Sequence, residues 1–239
     1  DSRPFAITRL AGLSREGRPI RVTETDSRDE FIVIIGRQHP PEVTGSLNLF
    51  PFLATVLGDS ALARQFRARY QLVIYPFLNP DGVALGHWRH NTGGADLNRD
   101  WGPFTQPETR LVRDHVDRLV AAGAEPRLML DFHSTYRNLF YTQMPEEGTN
   151  PPRFALDWMA ASRARLPDFE FDHEPRPLSD LPTTKNYFYT RFGIPAITVE
   201  TGDETNRAAI ERSARVFAEE MMTLMLLAPA PDPIPAAMQ

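Results

Sequence analysis

At 239 residues, with 41% hydrophobic and 24% charged side chains, the chain has the make-up of a globular domain able to bury a sizeable core. A net charge of −5 argues against nucleic acid as a partner, and no apolar run approaches the roughly 20 residues that span a bilayer. The absence of cysteine excludes disulfides and thiolate metal sites, so any metal must be held by histidine and carboxylate. The chain begins at Asp1 rather than Met, consistent with a removed leader or tag, and no signal peptide is left to read. Cytoplasmic and exported locations both stay open, as does the oligomeric state.

In chain order, residues 20–23 (IRVT) predict an antiparallel edge strand, and residues 31–35 (FIVII) a strand apolar on both faces. A helix over 47–57 carries Pro51, which predicts a kink or a later start. Residues 72–75 (LVIY), 128–130 (LML) and 196–199 (AITV) repeat the buried-strand pattern, with helices predicted over 108–122 and 153–165 between them. A last helix over 204–227 sets Ile210, Ala214, Phe217, Met221 and Leu224 on one stripe. Strands alternating with helices predict a single α/β domain over 1–228, its mainly parallel sheet covered on both faces. A proline-rich tail over 229–239 follows, extended along the surface.

Chemistry-bearing residues follow the strands. His39 and Glu42 come after FIVII, Asn79-Pro80-Asp81-Gly82 after LVIY, Asp131-Phe132-His133-Ser134 after LML, and Glu200-Thr201-Gly202 after AITV. In a parallel sheet the active crevice lies beyond the carboxyl ends of the strands, so these groups converge on one edge. His39, Glu42 and His133 make a His₂Glu set, which in catalytic zinc sites leaves a fourth position open. Taken singly, each has a plainer explanation: a loop histidine capping backbone, a hydrogen-bonded core histidine, a surface carboxylate at position 200. Joint placement at strand ends is what weighs against all of them together. Between residues 86 and 101, Arg89, Asn98 and Arg99 in a glycine-bearing loop suit recognition of a carboxylate, although a solvated loop of surface ion pairs remains open.

The order HxxE, NPDG, WRxN, GxDLNR, DxHS and ExG, running from about Gly12 to Gly202, resembles the zinc carboxypeptidases of the funnelin group. The stretches NPDGVALGHWRHNTGGADLNRDW and FHSTYRNLFYT look most like the cytosolic carboxypeptidase branch and its bacterial relatives. The resemblance implies a mixed sheet of about eight strands with helices on both faces. It also implies one zinc ion held by His39, Glu42 and His133, with Asp96 taking a hydrogen bond from the His39 ring. Arg89 would polarise the scissile carbonyl, Asn98 and Arg99 would clamp a terminal carboxylate, and Glu200 would serve as general base and acid. The implied substrate is a peptide or small amide with a free carboxylate.

Two departures from the family pattern stand out. The mobile tyrosine expected some two dozen positions before the catalytic glutamate is absent: Pro177 and Leu178 stand there, with Tyr187 and Tyr189 out of register. Lys185, fifteen residues before Glu200, matches the base of the family's specificity pocket and predicts a preference for an acidic C-terminal side chain. The alternative for Lys185 is the exposed face of a helix over 184–191. Two rival functions share these residues: a zinc amidohydrolase acting on N-acyl amino acids or peptidoglycan stem peptides, and an inactive binding module on the same fold.

Overall fold

The computed structural model describes residues 5–229. Eight strands and seven α-helices follow one another as β1 (Ala6–Leu13), β2 (Pro19–Thr25), β3 (Glu30–Gly36), α1 (Val43–Val56), α2 (Ala61–Arg69), β4 (Tyr70–Tyr75), α3 (Pro80–Leu85), α4 (Pro107–Ala121), β5 (Glu125–Thr135), β6 (Leu139–Thr142), α5 (Phe154–Arg165), β7 (Asp172–Pro175), α6 (Thr184–Phe192), β8 (Ala196–Gly202) and α7 (Arg207–Leu227). The strands form one sheet in the order β1-β2-β4-β3-β5-β8-β6-β7. β4, β3, β5 and β8 run parallel in its centre, while β2 pairs antiparallel with β4, and β6 antiparallel with β8.

Alternation along β3 explains why its sequence is an unbroken apolar run. Ile32 and Ile34 pack into one core with α1, α2, α5 and α7, around Phe52, Phe66, Trp158 and Phe217. Phe31, Val33 and Ile35 point to the other core, with Val112 and Val116 of α4 and Phe188 of α6. A strand sandwiched between two helical layers has no polar face to show. The molecule is therefore a single α/β domain with helices on both sides of a mixed sheet.

Three local expectations need correction. β2 is antiparallel but not an edge, because β1 pairs outside it. The first helix starts at Val43 rather than near 47 and continues through Pro51. Its Leu49, Phe52, Leu53 and Val56 are buried against the sheet, and that packing holds the helix across the one backbone hydrogen bond proline cannot make. Helices α2 and α3 and strands β1, β6 and β7 have no counterpart among the sequence expectations. The tail expected over 229–239 lies, beyond Pro229, outside the described residues. Among the described residues no single helix is long and apolar enough to cross a membrane.

One close approach matters for the site. Helix α1 crosses β5 at Gly45, where an added Cβ would sit 2.6 Å from the His133 carbonyl oxygen and 2.7 Å from its carbon. Both are backbone atoms and cannot swing aside. Gly45→Ala is therefore expected to destabilise the protein by about 1–3 kcal/mol, the usual cost of forcing atoms into a packed interior. Chemical denaturation measures it, and an unchanged midpoint would show that α1 can shift away from the strand.

Candidate functional site

The sheet order explains how distant residues meet. β3, β5 and β8 are adjacent and parallel, so their carboxyl ends share one edge, and His133 pairs in register with Glu200. His39 lies in the turn just after β3. That turn is tied down by the NPDG segment, where Asn79 caps α3 by accepting from the Gly82 amide and donates through Nδ2 to the Gln38 carbonyl at 3.0 Å. Glu42 is the N-cap residue of α1, yet its side chain does not cap the helix. It turns instead to the two imidazoles.

His39 Nδ1 lies 2.7 Å from Glu42 Oε1, His133 Nδ1 lies 2.7 Å from Glu42 Oε2, and the two Nδ1 atoms are 3.2 Å apart. Each ring presents its other nitrogen to a carboxylate. His39 Nε2 is 3.0 Å from Asp96 Oδ1, and His133 Nε2 is 2.9 Å from Asp131 Oδ2. Ionised carboxylates only accept, so His39 Nε2 carries hydrogen toward Asp96, and the ion-pair contact with Asp131 favours a hydrogen on His133 Nε2; both Nδ1 atoms then turn lone pairs toward the centre. Three acceptors facing one point demand a positive charge between them. A proton supplies it, and so does a metal ion: tetrahedral zinc with bonds of about 2.0–2.1 Å sets its ligand atoms roughly 3.3 Å apart. His39, Glu42 and His133, with ligand atoms all within 4.8 Å of one another, fit such an ion.

The rest of the cleft, about 480 Å³, brings together Glu200, Arg89, Asn98, Arg99 and Lys185 with these three residues. Asp96 accepts from Arg89 Nε at 2.7 Å and from the Asn98 amide at 2.9 Å as well as facing His39. Asn98 Oδ1 accepts from the Thr184 amide at 2.9 Å, which leaves the Asn98 NH₂ for the cleft. Glu200 Oε2 is buried without a hydrogen-bond partner among the described residues. Lys185 is 8% exposed and lines the cleft rather than the outer face of α6; its Nζ donates to the Arg176 carbonyl at 3.2 Å. No tyrosine stands at 177 or 178, and Tyr187 packs away from the cleft against Trp101, Phe104 and Phe188.

Several lining or supporting residues had no place in the sequence reading. Tyr141 and Thr198, paired across β6 and β8, both line the cleft, as does Arg176, stacked over the Tyr141 ring. Asp131 stands two residues before His133 on a strand, a spacing that puts both on one face and could have exposed its role. Gln38, beside His39, is fully buried and gave no such signal.

Burial pushes Glu200 up to about 7, against the opposing pull of His133. Burial likewise acts to raise Glu42, but His133 and His39 beside it hold its carboxyl at about 2. For His133 burial acts to lower the pKa, and Asp131 and Glu42 overcome it, raising the ring well above the usual histidine value.

Residues 4–222 match the family described as zinc carboxypeptidase, and the chain belongs to that family. Cytosolic carboxypeptidase 3 of Mus musculus is 34% identical over 121 residues, a match covering 48% of this chain but only 12% of the mouse protein. Cytosolic carboxypeptidase 2 of Xenopus tropicalis is 34% identical over 116 residues, again 12% of its length. Among solved structures, a metallo-carboxypeptidase from Burkholderia cenocepacia superposes with a TM-score of 0.78 at 22% identity, covering 95% of this chain and 66% of that one. At that identity the likeness shows the shared fold.

A raised His133 pKa has a sign consequence for metal loading. The ring must give up its Nδ1 proton to bind a cation, so affinity rises with pH until the folded pKa is passed. Loading zinc into metal-free protein near neutral pH should release protons, read by calorimetry in buffers of different ionisation enthalpy. Affinity that stays flat between about pH 6 and pH 8 would contradict this.

Proposed function

We propose that the chain is the catalytic domain of a zinc-dependent metallocarboxypeptidase, hydrolysing the last peptide bond of a substrate with a free C-terminal carboxylate. The observation that carries the reading is the meeting of His39 Nδ1, Glu42 and His133 Nδ1 at one point, in the same cleft as a buried Glu200 oxygen with no hydrogen-bond partner among the described residues. In this reading the three residues hold one zinc ion, which supplies Lewis acidity to the scissile carbonyl and to the hydrolytic water.

The chain's own groups do the rest. Glu200, its pKa near neutrality, takes a proton from water and passes it to the leaving amine, a task best served by a group with a pKa close to the working pH. Arg89, held by Asp96 through Nε, offers its remaining N–H groups to the oxygen that gains charge. Asn98 and Arg99 receive the terminal carboxylate, which restricts cleavage to a chain end. Asp96 fixes the tautomer of His39, and Asp131 that of His133.

Lys185 supports a finer reading, a preference for an acidic C-terminal side chain. It is buried in the first turn of α6, where both desolvation and the positive end of the helix disfavour an ammonium group. A cation kept there needs an anion to meet it, and the cleft is where one can arrive.

Chelation should abolish hydrolysis, and added zinc should restore it. Glu200→Gln should retain zinc and lose turnover by about a hundred- to ten-thousand-fold; a variant as active as the wild type would remove Glu200 from the reaction. With matched peptides ending in Glu, Phe or Lys, release of Glu should be fastest. Lys185→Met should lower kcat/KM for the Glu peptide by at least about tenfold while sparing the Phe peptide. Equal rates for the three peptides, or a preference for Lys, contradict the assignment of Lys185.

A further inference from the structure

We propose that Gln38 is a positioning residue joining the metal ligands to the chain-end clamp through buried hydrogen bonds that end on Asp131, the carboxylate in ion-pair contact with His133. The inference rests on the roles proposed above for His133 and Asn98. Gln38, Asp131 and Thr184 are all fully buried.

Donor arithmetic fixes the direction of every link. Trp101 Nε1 can only donate, and it reaches Gln38 Oε1 at 2.9 Å, so the amide is oriented unambiguously. The two hydrogens of Gln38 Nε2 then go to Asp131 Oδ2 at 2.6 Å and Thr184 Oγ1 at 2.7 Å. Accepting from Gln38, the Thr184 hydroxyl gives its own hydrogen to Asn98 Oδ1 at 3.1 Å, beside the Thr184 amide. Asn98 is thereby held with its NH₂ toward the cleft. On the other arm, the Asp131 oxygen that accepts from Gln38 lies 2.9 Å from His133 Nε2.

No other side chain serves here. Glutamate lacks the two hydrogens and would set a carboxylate against Asp131. Asparagine is one methylene short, while methionine fills the space without donating. The main chain at Gln38 is itself pinned by Asn79 Nδ2 and leads directly into His39. Displacing this one amide loosens both the partner that orients His133 and the hydroxyl that orients Asn98. Each arm can also be cut alone, at Asp131 or at Thr184.

The test measures two affinities by calorimetry and chelator competition: zinc for the metal-free protein, and a hydrolysis-resistant dipeptide analogue, as free acid and as C-terminal amide, for the zinc-loaded protein. Asp131→Asn should weaken zinc by about ten- to a hundredfold. Thr184→Val should leave zinc binding intact and weaken the free acid about tenfold without affecting the amide, and Thr184→Ser should restore the free acid. Gln38→Met should show both losses at once. A Gln38→Met protein with a lowered melting temperature but both affinities within about twofold of wild type overturns the proposal. Should Gln38→Met fail to fold, the threonine pair decides: equal behaviour of Val and Ser overturns it. A wild-type protein that binds no zinc, or binds acid and amide alike, overturns the underlying function rather than the link through Gln38.

Discussion

Two imidazole nitrogens 3.2 Å apart, each backed by a carboxylate and both facing Glu42, form an arrangement that cannot stand electrically neutral at its centre. Repulsion among three acceptors in a buried setting is far stronger than in water, so the point they share favours a positive charge, a proton or a metal ion. Every nearby feature serves to hold that point fixed. The rings are locked from behind by Asp96 and Asp131, the His39 turn is anchored by Asn79, and Gly45 lets α1 lie directly on the His133 backbone. The site is built on strand ends and a helix start, elements whose positions are set by two hydrophobic cores, and side chains mounted this way keep their geometry without a ligand to shape them.

The cleft carries charge of both signs: Glu42 and Glu200 line it beside the two histidines, and Arg89, Arg99, Arg176 and Lys185 line the same cavity. In the proposed function this set of cations would draw the anionic end of a substrate into the cleft. Asp96 ties the two sets together, since its two oxygens serve His39, Arg89 and the Asn98 amide.

The central sheet was legible because strands buried on both faces must be apolar throughout, and FIVII, LVIY, LML and AITV announce themselves on that ground alone. The convergence of His39, Glu42, His133 and Glu200 followed from the direction of those strands. What stayed hidden has physical reasons. α2 pairs charged LARQFRAR positions with a buried Phe66 and Ala63, a face too narrow to stand out against its arginines. β6 and β7 are four residues each, too short for a period to show. β1 exposes Ile7, Leu10 and Leu13, so its alternation carries no inside–outside contrast. Pro51 misled because a local rule about hydrogen bonds was outweighed by packing along the rest of the helix. Gln38 stayed hidden for a different reason: its partners Trp101, Asp131 and Thr184 lie 63, 93 and 146 residues away, and only folding brings the set together.

Among the described residues, two buried groups in the cleft, a Glu200 oxygen and the Lys185 ammonium, have no counter-charge in contact, and they face opposite problems. Glu200 has a buried oxygen with nothing to bond, and Lys185 has a buried ammonium that reaches only a backbone carbonyl. Neither arrangement favours folding, since a buried charge without a partner destabilises and burial drives both groups toward their neutral forms. The two are not paired with each other, which would have relieved both. Both line one cavity, and in the proposed function Lys185 would meet an acidic C-terminal side chain while Glu200 would take a proton from water. The cost that stability bears at these two positions is, in that reading, what would make the cavity reactive and selective.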